Sequence, residues 1–290
     1  MTKPKPRELD LVVLSDIHLG TYGCRAIELN NYLKTIHPKT LILNGDIIDI
    51  WQFNKRYFPK THLKIIKKLM QFITSDTKVY YITGNHDEML RRFKGVRLGN
   101  LEIVNKVVLT IDRKKAWFFH GDVFDVTMQH SKWLAKLGGK GYDVLILINT
   151  LMNWISSKLG YGKLSLSKKI KNNVKGAVKF ISNFEKIASD IAIEKAYDYV
   201  VCGHIHEPVI KQIETEKGST TYLNSGDWIE NLTALEYNNE NWKLYEYDND
   251  YNAEDNIELP DNLDLDGGRI ERKNKLLFHE LMEEFNPNNL

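Results

Sequence analysis

Asp16, His18, Asp46, Asn85, His120, His204 and His206 stand in five short motifs: Asp16-Ile17-His18, Gly45-Asp46, Gly84-Asn85-His86-Asp87, His120-Gly121-Asp122 and Gly203-His204-Ile205-His206. Oxygen and nitrogen donors in this number, without a thiolate, exceed what one tetrahedral site takes but suit two divalent ions that share a ligand. A carboxylate has two oxygens and can bridge, and Asp46, beside the tight turn of Gly45, is the expected bridge. The set then divides into Asp16, His18, Asp46 and His206 for one ion, and Asp46, Asn85, His120 and His204 for the other. Two ions about 3.5 to 4 Å apart activate water near neutral pH and clamp a phosphoryl group for in-line attack, so the expected chemistry is phosphoester hydrolysis. His86, next to Asn85, is placed to give the leaving group a proton. Asp87 is expected to orient the His86 imidazole.

Each motif ends a short apolar run. Leu9 to Leu14 leads into Asp16, Thr40 to Leu43 into Asp46, Lys78 to Thr83 into Asn85, Ala116 to Phe119 into His120, and Tyr199 to Cys202 into His204. Near-continuous apolar runs of this length are what strands buried on both faces look like. Helical spacing between the first three, roughly from Arg25 to Ile36 and from Thr61 to Ser75, makes the pattern strand, helix, strand, which argues an α/β layered fold. In such folds ligands collect beyond the carboxyl ends of strands, where all five motifs lie. Alternation along an extended segment would aim His204 and His206 at one ion, whereas the donor count divides them between two. The stretches 220–228, 233–237 and 242–247 read as antiparallel strands that close a second sheet.

The strand grammar breaks between 123 and 190, which reads as a helical cap inserted into a core of 1–122 and 191–247. Lysines are frequent there (among them Lys132, Lys136, Lys140, Lys163, Lys168 and Lys175) and acids few. Val144 to Ile148 and Leu151 to Ile155 form a helix apolar on most of its surface, either cap core or a face for a lipid, a membrane or a second subunit. An Asn- and Asp-rich linker, 248–268, and a helix, 269–290, are expected to follow. The 290-residue chain has room for one large core with such an insertion. Its net charge of +2 gives no reason to expect a nucleic-acid partner. No apolar signal segment or membrane-length run is visible, so a cytoplasmic location is expected. Cys24 and Cys202 are too few for a disulfide framework and read as reduced, structural thiols. His37, His62, His130 and His279 read as surface or packing histidines. Arg91, Arg92 and Lys94 are either phosphate contacts or solvated charges. Asp122 is expected to fix an imidazole of the centre, with Asp125, Asn44 and Asn224 as further candidates for such support.

Together, Asp16-x-His18, Gly45-Asp46-x-x-Asp49, Gly84-Asn85-His86-Asp87, His120-Gly121-Asp122 and Gly203-His204-x-His206 resemble the signature of the calcineurin-like metallophosphoesterases, over roughly Leu9 to Tyr247. The resemblance implies a four-layer α/β/β/α sandwich with an inserted cap and two metal ions, manganese foremost with iron or zinc as alternatives, held by the seven residues above. Ser15-Asp16-Ile17-His18-Leu19-Gly20, Gly203-His204-Ile205-His206-Glu207-Pro208 and the helical insertion are most similar to the UDP-2,3-diacylglucosamine pyrophosphatases. That similarity implies cleavage of a lipid A precursor to UMP and a lipid phosphate, at the inner face of the membrane. His86 departs from it, because those enzymes carry arginine there, and Gly226-Asp227-Trp228 suggests a sister branch. A phosphatase or phosphodiesterase for a soluble nucleotide is the alternative. A non-catalytic scaffold would have no reason to keep every donor together with His86. The sequence leaves a homo-oligomer open.

Overall fold

Leu11 to Leu14 of β1 (Arg7–Leu14) are buried on both faces, which is why that strand reads as an uninterrupted apolar run. Val12 and Leu14 point to one side, where they pack with Leu29 and Leu33 of α1 (Ala26–Lys34) and Ile65 and Leu69 of α2 (Lys60–Ile73). Leu11 and Val13 point to the other, against Phe118 and Val201 of a second sheet. The computed structural model describes residues 5–50, 58–127 and 174–248. The chain divides into a unit Met1–Tyr247 and a unit Asp248–Leu290. The expected linker and final helix, the apolar cap helix, His130, His279 and the named cap lysines other than Lys175 lie outside the described residues.

The remaining strands are β2 (Ile36–Asn44), β3 (Lys78–Ile82), β4 (Arg97–Leu98), β5 (Leu101–Val104), β6 (Lys106–Ile111), β7 (Lys114–Phe119), β8 (Tyr199–Cys202), β9 (Val209–Thr215), β10 (Gly218–Asn224), β11 (Thr233–Asn238) and β12 (Asn241–Glu246). The first sheet runs β12-β11-β1-β2-β3-β5-β4 and the second β6-β7-β8-β10-β9. Parallel pairing joins β1, β2, β3 and β5 in one and β7, β8 and β10 in the other. Strict alternation fills three layers of core. Trp117, Phe119, Val200, Cys202 and Tyr222 face outward to Phe184, Ala188 and Ala192 of α4 (Val174–Glu194), while Ala116, Phe118, Tyr199, Val201 and Leu223 meet the first sheet. With helices on both outer faces, the layers are α/β/β/α. α4 begins within the stretch expected to be cap, and its middle serves as the outer layer on the second sheet.

The sheet membership of the last strands differs from expectation. Only β10 joins the second sheet; β11 pairs antiparallel with β1, Val12 opposite Glu236, and β12 extends the first sheet beyond it. The reason is burial on both faces of β11. Ala234 belongs to the helix-side core and Leu235 and Tyr237 to the core between sheets, so that strand needs neighbours on both edges.

α2 is tied to the loop after His18 by His62, whose Nδ1 accepts a hydrogen bond from the Gly20 N–H at 3.0 Å while its ring meets Phe58 edge-on. Burial lowers the His62 pKa from 6.5. The unfolded chain therefore takes up a proton that the folded one refuses, so this contribution is complete above about pH 6.5 and is lost as the pH falls below it. His62→Asn keeps an acceptor for Gly20 but cannot titrate. The difference in urea midpoint between pH 7.5 and pH 5.5 should be smaller in this variant than in the wild type; an equal difference would remove His62 from the acid response.

Candidate metal centre

The carboxyl ends of β1, β2, β3, β7 and β8 converge, and the motif residues begin where those strands stop. Parallel pairing continues past the ends of β1 and β2 in hydrogen bonds from Asp16 N to Gly45 O (3.0 Å), His18 N to Asp46 O (2.9 Å) and Leu19 N to Ile47 O (2.9 Å). The second sheet is joined to this platform by His204 N to Asp16 Oδ2 (3.0 Å), while Gly203 N to His120 O (3.0 Å) ties the ends of β8 and β7 and His86 N to Asp46 Oδ1 (2.8 Å) ties the turns after β3 and β2. Beneath them, Ser15 Oγ lies 2.7 Å from Ser225 Oγ and Asn224 Nδ2 donates to Gly203 O at 2.9 Å, locking β1, β8 and β10 together. Gly45 and Gly84 leave no room for a side chain, since a Cβ would overlap the His120 ring at either position.

To turn side chains back over the strand ends, Asp16, His18, Asp46, His204 and His206 adopt φ of 53°, 54°, 54°, 67° and 55°. Each is a left-handed conformation that costs a residue with a Cβ about 1–2 kcal/mol. No glycine marks these positions, so the sequence gives no sign of the strain.

Three groups of potential ligand atoms, each within 4.8 Å of one another, occur among the described residues: Asp16, His18 and His206; His18, Asp46 and His86; Asp46, His120 and His204. Asp46 is common to the last two, and His18 joins them to the first. The imidazoles are individually oriented. His120 Nδ1–H donates to Asn44 O at 2.8 Å, leaving Nε2 3.2 Å from Asp46 Oδ2. His18 Nδ1 faces Asp49 Oδ2 at 3.2 Å, leaving Nε2 inward. His206 Nε2 lies 3.1 Å from Asp16 Oδ1, with Asp227 Oδ2 3.8 Å from its other nitrogen.

Burial would raise the Asp16 pKa, but the His206 and His120 imidazoles hold it down at about 2, and His120 and His18 hold Asp46 well below the carboxylate range. The reciprocal effect lifts His120 and brings His206 to about 9, against the desolvation that would lower both. This is a pocket in which buried carboxylates call for positive charge. Asp16 Oδ1, His18 Nε2, Asn85 Oδ1 and His120 Nε2 are buried and make no hydrogen bond within the protein. Buried polar atoms left in this way are costly unless something else engages them. Their donor types, carboxylate, amide oxygen and imidazole, fit a divalent cation.

The structure thus brings Asp16, His18, Asp46, His120, His204 and His206 together, with His86 at the rim and the Asn85 Oδ1 buried on the same turn as His86, but it distributes the supporting carboxylates differently. Asp87 does not contact the His86 ring. It is fully buried and accepts from Gly84 N (2.6 Å), Ile47 N (3.0 Å) and Tyr81 OH (2.7 Å), which fixes the turn carrying Asn85 and His86. Burial, then the Asp46 charge, push its pKa up to about 6. The carboxylate beside His86 is Asp49, with Oδ2 2.8 Å from Nδ1 and 1% side-chain exposure. Burial would lower the His86 pKa, but Asp49 raises it. Asp122 accepts from Arg91 Nη2 at 2.6 Å while its charge also acts on the His120 and His204 imidazoles, and Asp125 lies directly against His204. Asp49 and Asp227 stood in two of the quoted motifs, Gly45-Asp46-x-x-Asp49 and Gly226-Asp227-Trp228, but the sequence reading gave neither a part in the centre. Arg92 and Lys94 are exposed, as is His37 beside Glu8.

A family description, calcineurin-like phosphoesterase, matches residues 9–208. UDP-2,3-diacylglucosamine hydrolase of Blochmanniella pennsylvanica is 25% identical over 248 residues, covering 80% of this chain and 94% of the relative. The protein of the same name from Aliivibrio fischeri is 20% identical, covering 82% and 98%. A solved dimetal phosphatase from Danio rerio is similar at a TM-score of 0.41 and 9% identity, over 81% of this chain and 95% of that one. With the matched stretch reaching from β1 through the His204–His206 motif, the chain belongs to the calcineurin-like phosphoesterase family and is a metal-dependent phosphoesterase.

Proposed function

We propose that this protein holds two divalent cations, manganese foremost, one on Asp16, His18, Asp46 and His206 and the other on Asp46, Asn85, His120 and His204, and cleaves the diphosphate of a UDP-2,3-diacylglucosamine-like lipid nucleotide. The observation that carries the hydrolytic reading is the convergence of buried carboxylate and imidazole donor atoms around Asp46. Bound there, the cations would supply Lewis acidity to the phosphoryl oxygens and make water a nucleophile near neutral pH. The protein's own part is positional. Asp46, held by the His86 N–H, keeps the two halves in register; Asn44 O and Asp49 set the orientations of the His120 and His18 rings; and His86, beside Asp49, faces the leaving group as a positive partner for a departing phosphate or a proton donor for a departing alkoxide.

Two observations favour the lipid substrate. The relatives named for it match this chain over nearly their whole length. Just after His86, Met89, Phe93, Val96 and Leu98 are exposed among the exposed cations Arg92, Lys94 and Arg97, a mixture suited to the surface of an anionic membrane. Among the described residues no helix is long and apolar enough to cross a membrane. A cytoplasmic enzyme that works at the membrane surface is the location this reading requires.

His86 favours a second reading, a phosphatase or phosphodiesterase for a soluble substrate. A histidine can protonate a departing alkoxide, whereas a departing phosphate needs no proton and is served by the fixed charge of an arginine. Protein loaded with Mn2+ should release UMP from UDP-2,3-diacylglucosamine in mixed micelles, and EDTA should stop it. Hydrolysis of simple phosphodiesters with no UMP release would reject the lipid substrate and support the second reading.

A further inference from the structure

Asp125 lies on the short helix α3 (Phe124–Thr127), five residues past His120 and outside the three groups of converging donors. Its Oδ1 is 2.8 Å from His204 Nε2, with side-chain exposures of 24% and 12%. The imidazole is confined on its other sides. The His120 ring stands at 5.1 Å and 68°, and the Phe184 ring, from α4, at 6.4 Å. Phe184 is fully buried and packs edge-on against Phe124, the neighbour of Asp125. A residue at Gly121 with a Cβ would strike Phe184, so this close packing is also a backbone requirement.

We propose that Asp125 is a positioning residue for the metal position formed by Asp46, Asn85, His120 and His204. By accepting the Nε2–H it fixes the tautomer of His204 in which Nδ1 carries the lone pair, holds the ring plane, and makes the imidazole a more basic donor. The other ligand imidazoles have other neighbours, Asp49 for His18, Asn44 O for His120 and, at 3.8 Å, the Asp227 carboxylate for His206. The effect of Asp125 is therefore confined to one of the two positions. Because α3 and α4 flank residues 128–173 in the chain, that position is the one built by the elements on either side of the insertion. The inference rests on the two-metal reading but not on the identity of the substrate.

The test is titration of the full-length metal-free protein with Mn2+, read by calorimetry and by electron paramagnetic resonance. Wild type should bind two equivalents and show the spectrum of a coupled pair. Asp125→Asn, which keeps the shape and loses the charge, should weaken one equivalent about 10- to 100-fold and leave the other within about twofold. At two equivalents of Mn2+ it should show the six-line signal of an isolated ion. In a His204→Ala background, Asp125→Asn should cause no further loss. Wild-type affinity at both positions in Asp125→Asn and Asp125→Ala would overturn the proposal. So would equal weakening of both positions or a lowered melting temperature of the metal-free protein, either of which would make Asp125 a general structural prop. Failure of the wild type to bind two equivalents would instead overturn the two-metal reading on which the inference rests.

Discussion

Asp46→Ala protein is expected to bind neither cation at micromolar concentrations and to lose at least about 10³-fold in turnover, since several kcal/mol of charge stabilisation go with the metals. Asp46 is singled out because it belongs to both the His18–His86 and the His120–His204 groups, so its removal reaches both halves of the centre. The alanine variant has a second effect. His120 is fully buried with Asp46 Oδ2 as a close counter-charge, and breaking a buried pair of this kind costs about 3–5 kcal/mol. Asp46→Asn separates the two effects. Asparagine tolerates positive φ and keeps an acceptor for the His86 N–H, so the variant should fold while still failing to hold the cations. Metal content and turnover of the two variants, measured beside their melting temperatures, are the readout. Retained activity in Asp46→Asn would reject the bridging role and the mechanism with it.

His86→Ala should show the opposite pattern, with both cations retained and turnover lowered about 10²- to 10⁴-fold, the range for loss of a positioned acid. Asp49 takes the carboxylate role expected of Asp87: its Oδ2 lies 2.8 Å from His86 Nδ1 and favours the imidazolium, the form that has a proton to give from Nε2. The loss should therefore depend on the leaving group. It should be large for an alkyl ester and small for a p-nitrophenyl ester, whose departing oxygen needs no proton. A uniform loss across both esters would mean that His86 contributes charge or shape rather than a proton. Metal content must be measured in parallel, because Asp49 also faces His18 and a collapse of that carboxylate would be felt at the first metal position.

Much of this architecture was legible because the central strands are buried on both faces. β1, β2, β3, β7 and β8 could be read as apolar runs, each ending in its motif, and β8 has the expected bounds of Tyr199 and Cys202. Strands β4 to β6 and the exposed edge strand β9 were not found, since their residues are mostly half-buried or exposed and none of them leads into a donor motif. The sheet to which β11 belongs was also hidden, because pairing with β1 joins residues more than two hundred positions apart and no local pattern encodes that choice. Within the centre, donor types were legible while their supports were not. Asp122 and Asp87 are the nearest acids in sequence to His120 and His86, yet the acids nearest in space to His204 and His86 are Asp125 and Asp49.

The left-handed backbone at Asp16, His18, Asp46, His204 and His206 bears on how this protein should be engineered. A programme that ranks substitutions by the stability of the metal-free chain would favour glycine or asparagine at these positions, since either relaxes the backbone there. It would select, one position at a time, for a more durable fold with an empty centre. Cations bound at these residues would offset that strain by mass action on the folded state alone, so the stability of the protein should rise with free metal concentration. Stability comparisons between variants are meaningful only at a fixed, stated metal activity.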